Sequence, residues 1–251
     1  YTGMVNEQNR MDIMTNNLAN ASTVGYKKEG STSQSFDDVL TVKIKDQSVG
    51  MRNVQRLGVK NPGVKIGENY TDYSQGSFRI TGNTYDLALS GEGFFAIEFT
   101  NKAGETDTKY TRAGQFTLNK DGYLVTEEGD YVLDTQNRRI RLNTLIDSSI
   151  TDDGTIYQNG QAVAKIQVTD FEDYDYLEKY GETYYQPIQG AKTIAAKAQV
   201  KSGYLEMANV QIVSEMVNLI SITRAYESNQ KVVQTIDDTL DVAVNQIGRV
   251  Q

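Results

Sequence analysis

The chain has 251 residues, 38% of them hydrophobic, which is enough to form a sizeable apolar core. Its net charge of -8 disfavours nucleic acid as a partner, because proteins gain affinity for phosphates through positive charge. The sequence contains no Cys and no His, which excludes disulfides, thiolate zinc sites and the Ser-His and Cys-His catalytic pairs. No apolar run approaches the ~18 residues of a membrane-spanning helix. Because the first residue is Tyr1, we expect that further residues precede it.

The first 25 residues are predicted to form an N-terminal helix. Met4 to Ala21 contains no Gly or Pro, and Met4, Met11 and Leu18 are spaced seven residues apart. The segment 22–25, Ser-Thr-Val-Gly, is typical of a helix end. The next segment, 26–70, has no clear hydrophobic period, and we interpret it as an extended connector.

Residues 71–203 are predicted to form a central domain of β-strands. Short apolar alternations such as 94–99 and 115–118 are separated by turns rich in Gly, Asn and Asp, such as 119–122. Residues 204–251 instead indicate a long helix that begins near Leu205. Its apolar residues recur every seven positions at Ile212, Leu219, Tyr226, Val233, Leu240 and Ile247. We therefore predict an α+β fold in which the N- and C-terminal helices form a coiled-coil stalk beside a central all-β domain.

The beginning of the C-terminal helix carries more apolar residues than one partner helix can cover. Between Val210 and Ile222 they span roughly 240° of the helix circumference. We expect other copies of the chain to cover the excess, although a helix buried in an ordinary core remains an alternative. The predicted polymer interface comprises Met4, Met11, Leu18, Ile212, Met216, Leu219, Ile220, Tyr226, Val233, Leu240 and Ile247. Three polar residues that interrupt the apolar columns are either register determinants or a solvated face: Arg224, Glu227 and Asn229.

No catalytic, cofactor-binding or metal-binding residue is predicted. Asn119, Asp121 and Glu128 match three positions of a calcium-binding EF-hand loop, but Thr117 stands where the first carboxylate is required. The flanking residues alternate as strands do, so a hairpin turn is the better interpretation. The Gly91-Glu92-Gly93 segment lacks the third glycine of a dinucleotide-binding loop. We expect no small-molecule substrate.

Four segments resemble the motifs of flagellar rod and hook proteins. They cover nearly the whole chain, and they are Asn16–Lys27 (NNLANASTVGYK), Asp86–Phe95 (DLALSGEGFF), Tyr110–Phe116 (YTRAGQF) and Gly203–Val210 (GYLEMANV) followed by 215–230. The resemblance implies a non-enzymatic subunit that leaves the cell through the flagellar type III export apparatus. Such subunits stack helically into the axial shaft of the basal body, with the terminal helices as the inner tube and the β-domain outside it. The implied partners are further copies of the chain, other rod and hook subunits and the export apparatus.

Within that family, the segments Gln75–Phe78 and Thr81–Asn83 favour the distal rod, a subunit that transmits torque from the motor to the hook. A proximal-rod subunit and a hook or hook-associated protein remain alternatives. A different class of function is a carboxylate-based hydrolase of cell-wall glycan, because two-carboxylate glycosidases do not need histidine. A concave pocket with two carboxylates within ~10 Å of each other would favour the hydrolase, and the rod hypothesis predicts no such pocket.

Overall fold

The computed structural model describes residues 1–44, 54–101 and 104–247. The chain divides into two compact units that are interleaved in sequence. The first, which we call the helical unit, comprises 1–18, 29–72 and 212–251. The second, which we call the β-unit, comprises 19–28 and 73–211.

The helical unit contains one helix from each end of the chain and two strand pairs. Strand β1 pairs antiparallel with β4, and β2 pairs antiparallel with β3, so the segment predicted as a connector holds four paired strands. A short π-helical turn, Ala243–Ile247, follows the second helix. The elements are α1 (Thr2–Ala19), β1 (Glu29–Ser35), β2 (Val39–Ile44), β3 (Val54–Lys60), β4 (Val64–Thr71) and α2 (Ile212–Val242).

Helix α1 buries a polar stripe. Asn6 Nδ2 donates to Ser33 Oγ at 2.9 Å, and Asn17 exchanges two hydrogen bonds with the backbone of Glu29, at 2.8 and 2.9 Å. Both partners belong to β1. The buried side chains of α1 are those of Asn6, Ile13 and Asn17, whereas the predicted apolar column is only partly buried. The contact between α1 and β1 therefore depends on hydrogen bonds to a strand that has no apolar residue.

The prediction of an α+β fold with a coiled-coil stalk is wrong. The chain is mostly β-sheet, with one helix at each end. Helix α1 contacts α2 between residues 218 and 229: Gly3 lies beside Asn229, and Glu7 and Arg10 line a cavity of about 110 Å³ together with Ile222. An 18-residue helix spans ~27 Å and a 31-residue helix ~46 Å, so α1 is too short to accompany α2 along its length.

The β-unit is built around a nine-stranded sheet. Its main path runs β16-β17-β8-β7-β11-β10-β9, and β15 joins it by pairing with both β7 and β18. Smaller sheets are formed by β12-β13-β14, by β19 with β6, and by β20 with β5. The strands are β5 (Phe78–Ile80), β6 (Leu87–Ser90), β7 (Phe94–Thr100), β8 (Thr106–Thr111), β9 (Phe116–Leu118), β10 (Leu124–Thr126), β11 (Tyr131–Val132), β12 (Ser148–Ile150), β13 (Thr155–Gln158), β14 (Gln161–Lys165), β15 (Val168–Phe171), β16 (Leu177–Tyr180), β17 (Tyr184–Pro187), β18 (Thr193–Ala195), β19 (Gln199–Ser202) and β20 (Tyr204–Glu206).

Strand β7 separates two apolar clusters. Phe94 and Ala96 belong to a cluster rich in aromatic rings, whereas Phe95 packs into a second cluster with Phe116 and Leu124. Successive side chains of a strand point to opposite faces, so this alternation places apolar groups on both sides of the sheet. The uninterrupted apolar run in β7 is therefore the signature of a strand buried on both faces.

The C-terminal helix begins later than predicted. The sequence pattern places its start near Leu205, but Tyr204–Glu206 forms strand β20 and the helix starts at Ile212. The Glu206 side chain is fully buried and bonded to charged partners, which holds this segment in the β-unit.

Candidate assembly surface

The first half of α2 has one covered side. Glu215 and Ile222 are buried, and Leu219 and Tyr226 are half-buried. At 3.6 residues per turn these four side chains lie within about 60° of arc. Glu7 and Arg10 of α1 line the small cavity next to Ile222, so this is the side of α2 that faces α1.

The opposite side of the same segment carries exposed apolar residues. Val213 is 76% exposed, and Ile220 is 53% exposed. Together with Met216 and Val217, which are also exposed, they form what we call the proximal face. Each of these side chains would lose contact with water if a neighbouring molecule packed on α2.

The second half of α2 exposes a different apolar row. Val233, Ile236 and Leu240 lie on the side of α2 that α1 covers further back, yet their side chains are 40%, 52% and 57% exposed. We call these three residues the distal stripe. Long exposed apolar patches on a soluble protein usually mark interaction surfaces.

The predicted interface residues differ in the exposure of their side chains. Ile212, Met216, Ile220, Val233 and Leu240 are exposed. Half-buried positions are taken by Leu219, Tyr226, Met4, Met11 and Leu18. Ile247 belongs to the π-helical turn, and its side chain lies outside the described residues.

The spacing of seven residues does not include every exposed apolar residue of α2. Val213, Val217 and Ile236 are exposed apolar residues that the predicted interface leaves out. A search at the true helical period of 3.6 residues finds Val213 and Val217 as neighbours of Met216. Of the residues proposed to set register, all three are exposed, and Asn229 lies beside Gly3 of α1.

A buried ionic cluster lies in the β-unit. Lys27 Nζ lies 2.7 Å from Glu206 Oε1, and Arg112 NH1 lies 3.4 Å from Glu206 Oε2. The backbone N–H of Gly76 also donates to Glu206 Oε1, at 2.9 Å. Glu206 is 0% exposed, and the two cations are almost equally buried. One carboxylate therefore forms ion pairs with two cations away from water.

This cluster joins the first and last sequence motifs. The Gly25 N–H donates to the Glu206 carbonyl at 2.8 Å, and the Lys28 N–H donates to Asn209 Oδ1 at 2.8 Å. Gly25 has a φ of 70°, and a Cβ there would overlap the backbone of Ala113. The motif residues therefore have a structural role that spacing alone did not reveal, because their partners lie far away in sequence.

A cleft of about 700 Å³ in the β-unit is lined by carboxylates. Glu127, Glu128 and Glu182 line it together with Arg79. This is the kind of lining that we expected only for a hydrolase. The turn 119–122, considered above as a calcium loop, is instead the tight connection of the β9–β10 hairpin.

Asp130 and Tyr184 form a hydrogen-bonded pair at the edge of this cleft. The Tyr184 hydroxyl, whose residue lines the cleft, donates to Asp130 Oδ2 at 2.9 Å. Burial raises the pKa of the Asp130 carboxyl, and this outweighs the hydrogen bond from Tyr184, which lowers it. Burial likewise raises the pKa of Tyr184.

The described residues contain neither a membrane-spanning helix nor a cluster of metal ligands. No helix in the described ranges combines enough length with enough hydropathy to span a membrane. Among the same residues, no three acidic side chains lie close enough together to hold a metal ion.

Three family models match the chain. The model described as "Flagella basal body rod protein" matches residues 1–27, "Flagellar hook protein FlgE/F/G D1 domain" matches 88–160, and "Flagellar basal body rod FlgEFG protein C-terminal" matches 201–247. The first and third contain the motifs that meet at Glu206.

Full-length relatives are similar over almost the whole chain. The flagellar basal-body rod protein FlgG of Bacillus subtilis is 34% identical, over 97% of this chain and 96% of its own length. The rod protein FlgF of Caulobacter vibrioides is 32% identical, over 100% of this chain and 98% of its own. The flagellar hook-basal body complex protein FlhO of Bacillus subtilis is 28% identical, over 99% and 97%.

Proposed function

Because the chain belongs to the family of flagellar basal-body rod proteins, which are structural subunits of the basal body, we propose that its copies join into a helical homopolymer through α2. The observation that carries this proposal is the exposure of the proximal face and the distal stripe.

The proximal face alone contains four roughly half-exposed residues. Full burial of an aliphatic side chain contributes ~1.5–3 kcal/mol, so covering these four side chains stabilises each contact between copies by roughly 3–6 kcal/mol.

The finer parts of the function belong to the same proposal. The subunit crosses the cytoplasmic membrane through the export apparatus, contacts other rod and hook subunits, and transmits torque without catalysing a reaction. Support comes from the relatives named as the basal-body rod proteins FlgG and FlgF. Since both names occur at similar identity, the proposal includes either a distal or a proximal place in the rod.

The test compares two isoleucines of α2. Ile220 is 53% exposed and Ile222 is 3% exposed, although both are isoleucines of the same turn of α2. Ile220→Asp should leave the isolated chain folded but prevent rod completion and swimming, because the charge would be desolvated at a contact between copies. Ile222→Asp should instead unfold the helical unit of the isolated chain.

Gln234→Asp is the matched control, because it adds the same charge at an exposed polar position of α2. Circular dichroism of the purified chains, swimming assays and electron microscopy of basal bodies give the readouts. Complete rods in swimming cells that carry Ile220→Asp would contradict the proposal.

A second candidate, a hydrolase of cell-wall glycan, is favoured by one observation only. The cleft lined by Glu127, Glu128 and Glu182 provides carboxylates at a concave surface. The two candidates differ in what removal of those carboxylates does to swimming and to the release of glycan from cell wall.

A further inference from the structure

The two exposed apolar sets of α2 share one spacing. Val213, Met216 and Ile220 follow an i, i+3, i+7 pattern, and Val233, Ile236 and Leu240 repeat it 20 residues later. At 1.5 Å per residue the repeat is displaced by about 30 Å along the helix axis. Side chains that match in this way can form successive layers when two helices pack in parallel.

The two sets face in nearly opposite directions. At 3.6 residues per turn, the centres of the proximal face and the distal stripe lie about 175° apart around the axis. A single neighbour cannot therefore cover both. A contact between two different patches of the same chain is heterologous, and it propagates from copy to copy instead of closing on itself.

The charges of α2 favour a displaced contact over an aligned one. Asp237 flanks the distal stripe, whereas Asp238 and Asp241 lie more than about 100° around the helix from its centre. Two helices packed in register through this stripe would place the two copies of Asp237 at the same level along the axis. With a displacement of 20 residues, Asp237 instead lies level with Val217 of the neighbour, in the uncharged segment 217–221.

We propose that α2 carries both halves of this contact, so that the proximal face of one copy packs on the distal stripe of the next. The partner is a second copy of the chain, parallel to the first and displaced by about 30 Å along α2. Parallel packing follows because all copies in a helical polymer point the same way along its axis. The inference rests on the proposed function, and it assigns the two surfaces that meet.

Disulfide cross-linking tests this contact directly, because the chain contains no cysteine of its own. Basal bodies are isolated from cells that make the I220C/L240C variant and are oxidised, since positions 220 and 240 of neighbouring copies should lie opposite each other. Cysteines can be bridged when their Cα atoms are ~4.4–6.8 Å apart. We expect a ladder of dimers, trimers and larger species that disappears on reduction.

Three controls make the geometry falsifiable. Each single variant, I220C or L240C, should stay monomeric on oxidation, whereas cells that make both single variants should yield dimers only. The V213C/L240C pair should cross-link poorly, because position 213 pairs with 233 and is ~10 Å away from 240 along the axis. A ladder from V213C/L240C would indicate antiparallel packing, and a dimer from L240C alone would indicate a self-paired contact; either overturns the inference.

The outcome can be separated from the fate of the proposed function. If Ile220→Asp blocks rod assembly but I220C/L240C gives no ladder in basal bodies of swimming cells, polymerisation through α2 stands and the displaced contact is wrong. If Ile220→Asp leaves assembly intact as well, both proposals are wrong.

Discussion

The buried cluster around Glu206 gives the sharpest prediction about stability. Glu206→Gln preserves the size and shape of the side chain but removes the negative charge that is bonded to both Lys27 and Arg112. Both cations are buried, so the protein must then hold them in the interior without that counter-charge. The amide can still accept the hydrogen bond from the Gly76 N–H, which confines the change to electrostatics.

Removing one partner of a buried ion pair typically costs ~3–5 kcal/mol, a large fraction of the ~5–15 kcal/mol that stabilises a domain. For a unit of this size each kcal/mol lowers Tm by about 2–4 °C, so the β-unit should melt about 6–20 °C lower in the variant. The helical unit does not contain Glu206, so its helical signal should be lost at its usual temperature.

Near-ultraviolet circular dichroism from the tyrosines of the β-unit follows its melting, and the signal at 222 nm follows the helices. Glu178→Gln is the matched control, because Glu178 is an exposed residue of β16. A Glu206→Gln protein that melts within about 2 °C of the unaltered chain would show that the cluster does not stabilise the β-unit as argued.

Three further predictions concern the β-unit. Gly25→Ala should destabilise the β-unit by several kcal/mol more than Gly82→Ala does. Both glycines have positive φ, but only at Gly25 would the added Cβ overlap backbone atoms, so equal melting temperatures of the two variants would contradict this reasoning. Asp130→Asn should raise Tm at pH 8, because burial raises the pKa of the Asp130 carboxyl and ionisation therefore costs stability above the folded pKa. The difference should fade as the pH drops below the ordinary Asp pKa of ~3.9, and a gain that persists at pH 3 would exclude this cause. Cells that carry Glu128→Gln and Glu182→Gln together should swim normally, and the variant protein should release as much glycan from purified cell wall as the unaltered chain does. Loss of glycan release in the variant would favour the hydrolase.

The sequence predicts the helices and the strand-rich middle because their periods are clear. Helix α1 was expected at 4–21 and lies at Thr2–Ala19. The stalk was wrong because Met4, Met11 and Leu18 share their spacing of seven with Asn6 and Ile13, and periodicity cannot tell which row is buried. The buried row is the one whose asparagines bond to β1, which hydrophobicity does not reveal.

The strands within 26–70 were missed for a related reason. Strand β1, with the sequence EGSTSQS, has no apolar residue, and it pairs with β4 in a two-stranded sheet. An alternating pattern arises only when one face of a strand is buried against a core. A two-stranded sheet of polar residues produces no alternating pattern, so only the structure reveals how its strands pair.

The surplus of apolar residues on α2 was readable from the sequence, but its division into two surfaces was not. Heptad columns group Ile212 with Leu219, although Leu219 is half-buried and Ile212 is exposed. The position of α1 decides which side of α2 is covered, and that position depends on polar contacts such as those of Asn17.

The contact between Lys27 and Glu206 also constrains the order in which the molecule can be completed. The two residues are separated by 179 positions along the chain, and they form an ion pair in the interior. Loops of such length close slowly compared with local turns. During synthesis, segment 19–28 cannot form its bonds to residues 204–209 until those residues have been made. The β-unit therefore cannot be completed until most of the chain exists, although its first residues are made early, and the helical unit is completed later still because α2 follows at Ile212–Val242.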